Sequence, residues 1–290
     1  MNKTLYALVA TLALAAGSAT AAESSSSGSF RVLKPEETRS IAELLGTEVP
    51  KVGGIIRVGP SSFAPGAGRI TFSEFPVNTV NPTYPPASYG GGAADPTVTF
   101  DGFFAGQALG TAGTCPPGAA LTGCVVGTPS NPLTLSPTSP DTRIVSDSAN
   151  PTSPVLSGSP TFNGPIAILF DRDLAAVGLD GGFFDAVGGT AITAFRRDGT
   201  VIGSVTNTAN GIEFLGLATA DGSETIAGFL FSLVGAEPAG FAIDNVRFAR
   251  AGQVIPPGGT SVPVPATTPW GLLALVLALL VAGAAFVRLR

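Results

Sequence analysis

Between residues 66 and 250 short apolar runs recur, separated by Gly, Pro, Asn and Asp, and several of them alternate apolar with polar residues. That period of two is what a half-buried strand needs and what an amphipathic helix cannot use. Ile70-Thr71-Phe72-Ser73-Glu74-Phe75 carries it clearly, and Val98-Thr99-Phe100-Asp101-Gly102-Phe103-Phe104 reads as a second strand. Residues 165–170 and 174–179 read as two buried strands, and Thr142 to Val145 as a lone strand in a Pro-, Ser- and Thr-rich excursion over 105–160. The runs 191–196 and 201–205 flank Arg197-Asp198-Gly199-Thr200, and Asp-Gly between two such runs signals a hairpin. The runs 211–218 and 225–233 flank Asp221-Gly222 and predict a second turn of the same kind. In the closing run 241–248, strict alternation puts Phe241 and Ile243 on one face and Asp244, Val246 and Phe248 on the other. Many short strands with regular turn signals predict an all-β fold, an antiparallel β-sandwich.

The two ends differ from this middle. Lys3, an apolar stretch from Leu5 to Ala16, and Ala19-Thr20-Ala21 have the order of a signal peptide with a cut before Ala22. A run without charge opens on Trp270 and closes on Val287, and Arg288 and Arg290 follow. As a helix it would span about 27 Å, close to a hydrocarbon core, with Trp270 at the interface and the arginines on the cytoplasmic side. The expected layout is a signal peptide and helix over 1–21, and a linker with a short helix (34–46) over 22–65. The β-sandwich follows over 66–250, then a Pro/Gly-rich linker over 251–269 and a transmembrane helix with basic tail over 270–290.

Composition removes several chemistries. The chain has no histidine, so Ser-His-Asp and Cys-His catalysis and the usual catalytic zinc sites have no support. No Gly-rich phosphate loop runs into Lys-Ser/Thr. Setting aside Lys3, Arg288 and Arg290 leaves 12 basic against 20 acidic side chains, a charge that repels nucleic acid. Cys115 and Cys124, in a chain carrying an export signal, read as a disulfide pinning a loop, worth about 2.5–3 kcal/mol in the chain-entropy model. A polysaccharide hydrolase needs two carboxylates facing one another. Glu74, Asp101, Asp171, Asp173, Asp185 and Glu213 are candidates, and their spacing selects no pair.

The segment Val262-Pro263-Val264-Pro265, then Pro269-Trp270-Gly271-Leu272, the apolar run and Arg-Leu-Arg resembles the C-terminal sorting signals of the PEP-CTERM and IPTL-CTERM classes, with Val264 where the first class has glutamate. The resemblance implies an exosortase-type sorting protease as partner, a Gram-negative envelope, and association with exopolysaccharide or biofilm matrix. The closing Phe241-Ala242-Ile243-Asp244-Asn245-Val246 and the opening 70–75 run are similar to the last and first strands of jelly-roll ectodomains in such proteins and in carbohydrate-binding modules. This implies a jelly-roll-like sandwich in which Glu74 and Asp244 share a structural calcium. The expectation is a non-catalytic protein, anchored in the inner membrane or processed to the surface or matrix, that binds extracellular polysaccharide. A purely structural matrix component and a carboxylate-based polysaccharide-degrading enzyme are the alternatives.

Overall fold

The alternating runs become strands in a computed structural model that describes residues 54–147 and 154–255. Fifteen strands follow one another, and among the described residues the only helical pieces are three 3₁₀ turns. The first eight strands are short: β1 (Ile55–Arg57), β2 (Gly68–Ile70), β3 (Thr83–Tyr84), β4 (Val98–Asp101), β5 (Gln107–Leu109), β6 (Val125–Gly127), β7 (Thr142–Val145) and β8 (Val155–Gly158). The last seven are longer: β9 (Ile166–Leu174), β10 (Ala176–Phe184), β11 (Thr190–Phe195), β12 (Val201–Thr206), β13 (Gly211–Thr219), β14 (Ile226–Leu233) and β15 (Ala242–Ala249).

All pairings are antiparallel. One sheet runs β1-β13-β10-β15-β8-β7, with β2 added beside β15, and the other runs β12-β11-β14-β9-β4-β3. Val177, Leu179, Leu215, Leu217, Ile243 and Phe248 of the first sheet share one core with Phe100, Ile168, Phe170, Ile192, Phe229 and Phe231 of the second. The fold is therefore the expected antiparallel β-sandwich. The signal segment, the 34–46 helix, the sorting motif and the run 270–287 lie outside the described residues. No described helix is long and apolar enough to cross a membrane.

Both sheets are covered in part on their outer faces as well. The excursion after β4 lays Phe103, Phe104 and Leu133 over Ala167, Phe195, Ala227 and Leu230 of the second sheet. This is why β14 is buried at all eight positions and reads as a continuous apolar run rather than an alternating one. Within the excursion β5 and β6 form a two-stranded ribbon, and the Cys115–Cys124 disulfide, Cα–Cα 6.0 Å, closes the loop between them. Both cysteines belong to the main core. Gly110 admits them: a Cβ there would lie 2.3 Å from the Cys115 sulfur.

The expected 22–65 linker contributes to the sandwich. β1 extends the first sheet beside β13, while Val58 and Phe63 pack on Ala176, Ala218 and Ala249. The far end of the chain returns to the same place. Phe63 bridges Val254, and the Ile255 amide donates to the Ser62 carbonyl at 2.8 Å. The ordered domain thus runs beyond 66–250 at both ends.

Three local expectations are corrected. The opening run 70–75 is not a strand beyond Ile70, because Phe72 takes φ 59° and Glu74 Oε1 accepts from the Thr71 amide and hydroxyl, each at 2.9 Å. A side chain that captures a backbone donor this way competes with the ladder. The Asp221-Gly222 turn does not join a hairpin: β13 pairs with β10 and β14 with β9 and β11, so the turn carries the chain between sheets. The third correction concerns β15 and forms the site below.

Candidate functional site

Along β15 the ladder to β10 passes from Gly178↔Arg247 to Asp180↔Asp244. A step of two residues on β10 is matched by three on β15, which is a β-bulge. Asn245 carries it at φ 49°, a left-handed conformation that Asn tolerates better than most residues. The extra residue resets the alternation. Ile243, Val246 and Phe248 all enter the core, against the expectation that Val246 and Phe248 face away from Ile243.

A second bulge lies close by. The β10–β13 ladder passes from Gly181↔Glu213 to Phe184↔Gly211, so β10 carries one residue more than β13. Gly182 allows the close approach: a Cβ on it would sit 2.7 Å from the Gly211 carbonyl oxygen. The next residue, Phe183, is turned out of the core and is 52 % exposed. Bulges of this kind re-aim side chains and occur beside functional sites.

The two bulges gather a polar cluster on the outer face of the first sheet. Asn245 Nδ2 donates to Asp180 Oδ2 at 2.7 Å and to Asp244 Oδ2 at 3.3 Å. Its backbone amide donates to Asp244 Oδ1 at 2.6 Å, and its own Oδ1 accepts from Arg69 Nε at 3.2 Å. Asp244 is buried, whereas Asp180 is half-buried and, among the described residues, only its Oδ2 takes part in a hydrogen bond. Arg247, paired with Gly178 on the far side of the bulge, interacts with the same cluster. Burial and then the Arg69 charge lower its pKa, and the Asp180 charge opposes them. Beyond Asp180 the surface dips into a hollow of about 20 Å³ lined by Asp147, Asp180, Asp244, Phe183 and Ile212 among others, with no Arg or Lys among the described lining residues. That volume accommodates about one water-sized group.

A larger cleft of about 470 Å³ opens at the other end of the sandwich, lined by Arg172, Asp173, Glu224 and Arg250 with Ala94, Pro96 and Leu174. Its carboxylates are already engaged. Asp173 accepts from Arg197 Nε at 3.1 Å, and Glu224 accepts from the Ala251 amide at 2.9 Å. Arg250 pairs with Asp95 at 3.4 Å.

Of the remaining candidate carboxylates, Asp101, Asp171 and Glu213 are also held locally. Asp101 accepts from the Ser139 hydroxyl and the Gly102 amide, and Asp171 accepts from the Thr97 amide. Glu213 accepts from Thr208 and Ala209 and pairs with Arg57. The amide of Asp185 is held by Glu237, a fully buried residue whose pKa burial pushes up, though the Asp185 and Ala186 amides oppose this.

Glu74 and Asp244 sit in separate hydrogen-bond networks. Glu74 lies in the turn after β2 with Oε2 buried and unpartnered, as is the hydroxyl of Tyr84. Burial, and secondarily the Glu74 charge, raise the Tyr84 pKa. Among the described residues no group of three or more His, Cys, Asp or Glu side chains is placed to hold a metal ion. Sequence reasoning found Asp244 but missed Asp180, Asn245 and Phe183. The available signal was the apolar spacing 241, 243, 246, 248, which skips a beat at Asn245. No protein-family model matches the chain, and no curated protein is similar to it.

Proposed function

We propose that the chain is an exported, C-terminally anchored or sorted surface protein with a jelly-roll-like ectodomain that binds extracellular polysaccharide without chemical conversion. The observation that carries the binding role is the hollow between the two bulges. An exposed phenyl ring stands there beside carboxylates on an open sheet face, the combination that meets both the apolar and the hydroxyl-bearing sides of a sugar. The non-catalytic reading is supported by the larger cleft, where each acidic group is already taken up by a backbone amide or a guanidinium. The disulfide within the core suits an oxidising compartment, in line with the signal segment over 1–21 and the anchor over 270–290, handled by an exosortase-type protease. The expected calcium shared by Glu74 and Asp244 is not carried into this reading, because Glu74 accepts hydrogen bonds from Thr71 and Asp244 from Asn245, in separate networks.

A glycan array probed with the purified full chain, with calcium and with a chelator, tests the binding role. Retention on a set of polysaccharide glycans is the expected result, and uniform absence of binding in both arms overturns it. Mass spectrometry of the protein from its host reads both terminal cuts and tests export and sorting.

A further inference from the structure

In an Asn-Gly dipeptide the asparagine side chain reacts readily with its own backbone, because the glycine carries no Cβ to hold its amide away from the neighbouring side-chain carbon. The sequence holds two such pairs, Asn163-Gly164 and Asn210-Gly211, and the fold treats them differently. Asn210 is exposed in the turn between β12 and β13. The residues before it are pinned. Glu213 accepts from the Thr208 and Ala209 amides at 2.6 and 2.8 Å, and Asn207 Nδ2 donates to the Ala209 carbonyl at 3.0 Å. That pinning stops at Ala209, and among the described residues nothing hydrogen-bonds the Asn210 side chain. Gly211 is the end rung of β13 on β10, where a ladder frays first, and a Cβ on it would meet nothing within 4 Å. Asn163 is the opposite case. It is half-buried, with Oδ1 sealed from solvent, and its backbone amide donates to the Pro160 carbonyl at 2.8 Å. Gly164 is buried and bridged to Gly158, so closely packed that a Cβ on it would lie 2.3 Å from the Ser159 nitrogen.

We infer that Asn210 is a site of spontaneous deamidation in the folded protein and that the fold protects Asn163. The Gly211 nitrogen gives up its proton to solvent and bonds to Asn210 Cγ, and the side-chain nitrogen takes a proton from solvent and leaves as ammonia. Water then opens the succinimide at either carbonyl, giving aspartate or isoaspartate. Both products set a second carboxylate in the turn that Glu213 holds. Isoaspartate also lengthens the main chain by one carbon, two residues before Ile212 in the lining of the Phe183 hollow.

The test is peptide mapping by mass spectrometry of the full chain in detergent, aged in mildly alkaline buffer either native or unfolded in guanidinium. Conversion is read as the mass gained when the amide NH₂ becomes OH, and isoaspartate by enzymatic methylation of its carboxyl. In guanidinium the two sites should convert at similar rates. In the native chain Asn210 should convert at least about tenfold faster than Asn163, the ratio produced by a local opening that costs about 1.4 kcal/mol at Asn163 alone. Asn210 that stays intact in the native chain while the unfolded chain converts it overturns the inference, as does native conversion of both sites alike. A tenfold gap that persists in guanidinium overturns it too, because the difference then comes from local sequence and not from the fold.

Discussion

Deleting Asn245 outright should leave the sandwich folded. With that residue removed, the closing run reads Phe241-Ala242-Ile243-Asp244-Val246-Arg247-Phe248, a regular alternation that places Phe241, Ile243, Val246 and Phe248 on one face. The ladder to β10 then needs no bulge, because Asp180↔Asp244 and Gly178↔Arg247 become two steps apart on both strands. The losses are the hydrogen bonds to Asp180 and Asp244 and from Arg69. Each involves a charged partner and is partly exposed, so together they cost about 2–3 kcal/mol. Relief of the left-handed backbone at Asn245 returns about 1 kcal/mol. The expected net loss is about 1–2 kcal/mol, from two opposing terms of these sizes. If β15 instead ran regularly through Asn245, the same deletion would turn Val246 and Phe248 out of the core. Both are fully buried or nearly so, and expelling a valine and a phenylalanine costs well over about 5 kcal/mol, comparable to the whole stability of a domain. Guanidinium unfolding followed by far-ultraviolet circular dichroism separates the two cases. A lower midpoint at unchanged slope is expected. Deletion of Arg247, where no bulge absorbs the change, is the control and should unfold the domain. A collapse of the Asn245 deletion to the level of that control refutes the reasoning.

Replacing Cys115 and Cys124 together by alanine should cost about 2.5–3 kcal/mol by denaturant titration, and in the native wild type the bond should resist reductant until denaturant opens the core that holds it; rapid reduction without denaturant contradicts its burial. Burial would raise the Glu213 pKa, but hydrogen bonds from Thr208 and Ala209 and the Arg57 charge outweigh it and hold the carboxyl below its usual range. A depressed folded pKa gives stability that is present above the unfolded value and lost as pH falls through the folded one, so the gap between wild type and E213Q should be widest near neutrality and close in acid. A gap that does not change with pH removes the role assigned to this carboxylate.

Much of the fold was legible because strands announce themselves by period. β4, β7, β11, β12 and β15 lie where alternation or turn chemistry places them, and the Asp198-Gly199 hairpin forms between β11 and β12. Pairing partners were not legible. An Asp-Gly turn dictates that the chain reverses, which the Asp221-Gly222 turn does, but not that the flanking strands share a sheet. Short strands such as β1, β5 and β6 have too few residues to display a period and exist because they cover an outer face or extend an edge. The site was half legible. Asp244 is singled out through the resemblance of the closing strand to jelly-roll modules, whereas Asp180 gains meaning only from the register of β10 against β15, which no local pattern reports. Phe183 lies beyond the run 174–179 that the sequence marks as a strand, and it is surface in the molecule because a bulge turns it outward.

The closure of Val254 on Phe63 has a mechanical consequence. It fixes where the chain leaves the sandwich, beside Ala249 and Ala176, while the Phe183 hollow lies at the opposite extremity of β10. If a ligand is held there as proposed, tension between it and whatever follows Ile255 runs lengthwise along β10 and β15. Load in that direction strains their inter-strand bonds in shear, all at once, and does not peel them apart one by one.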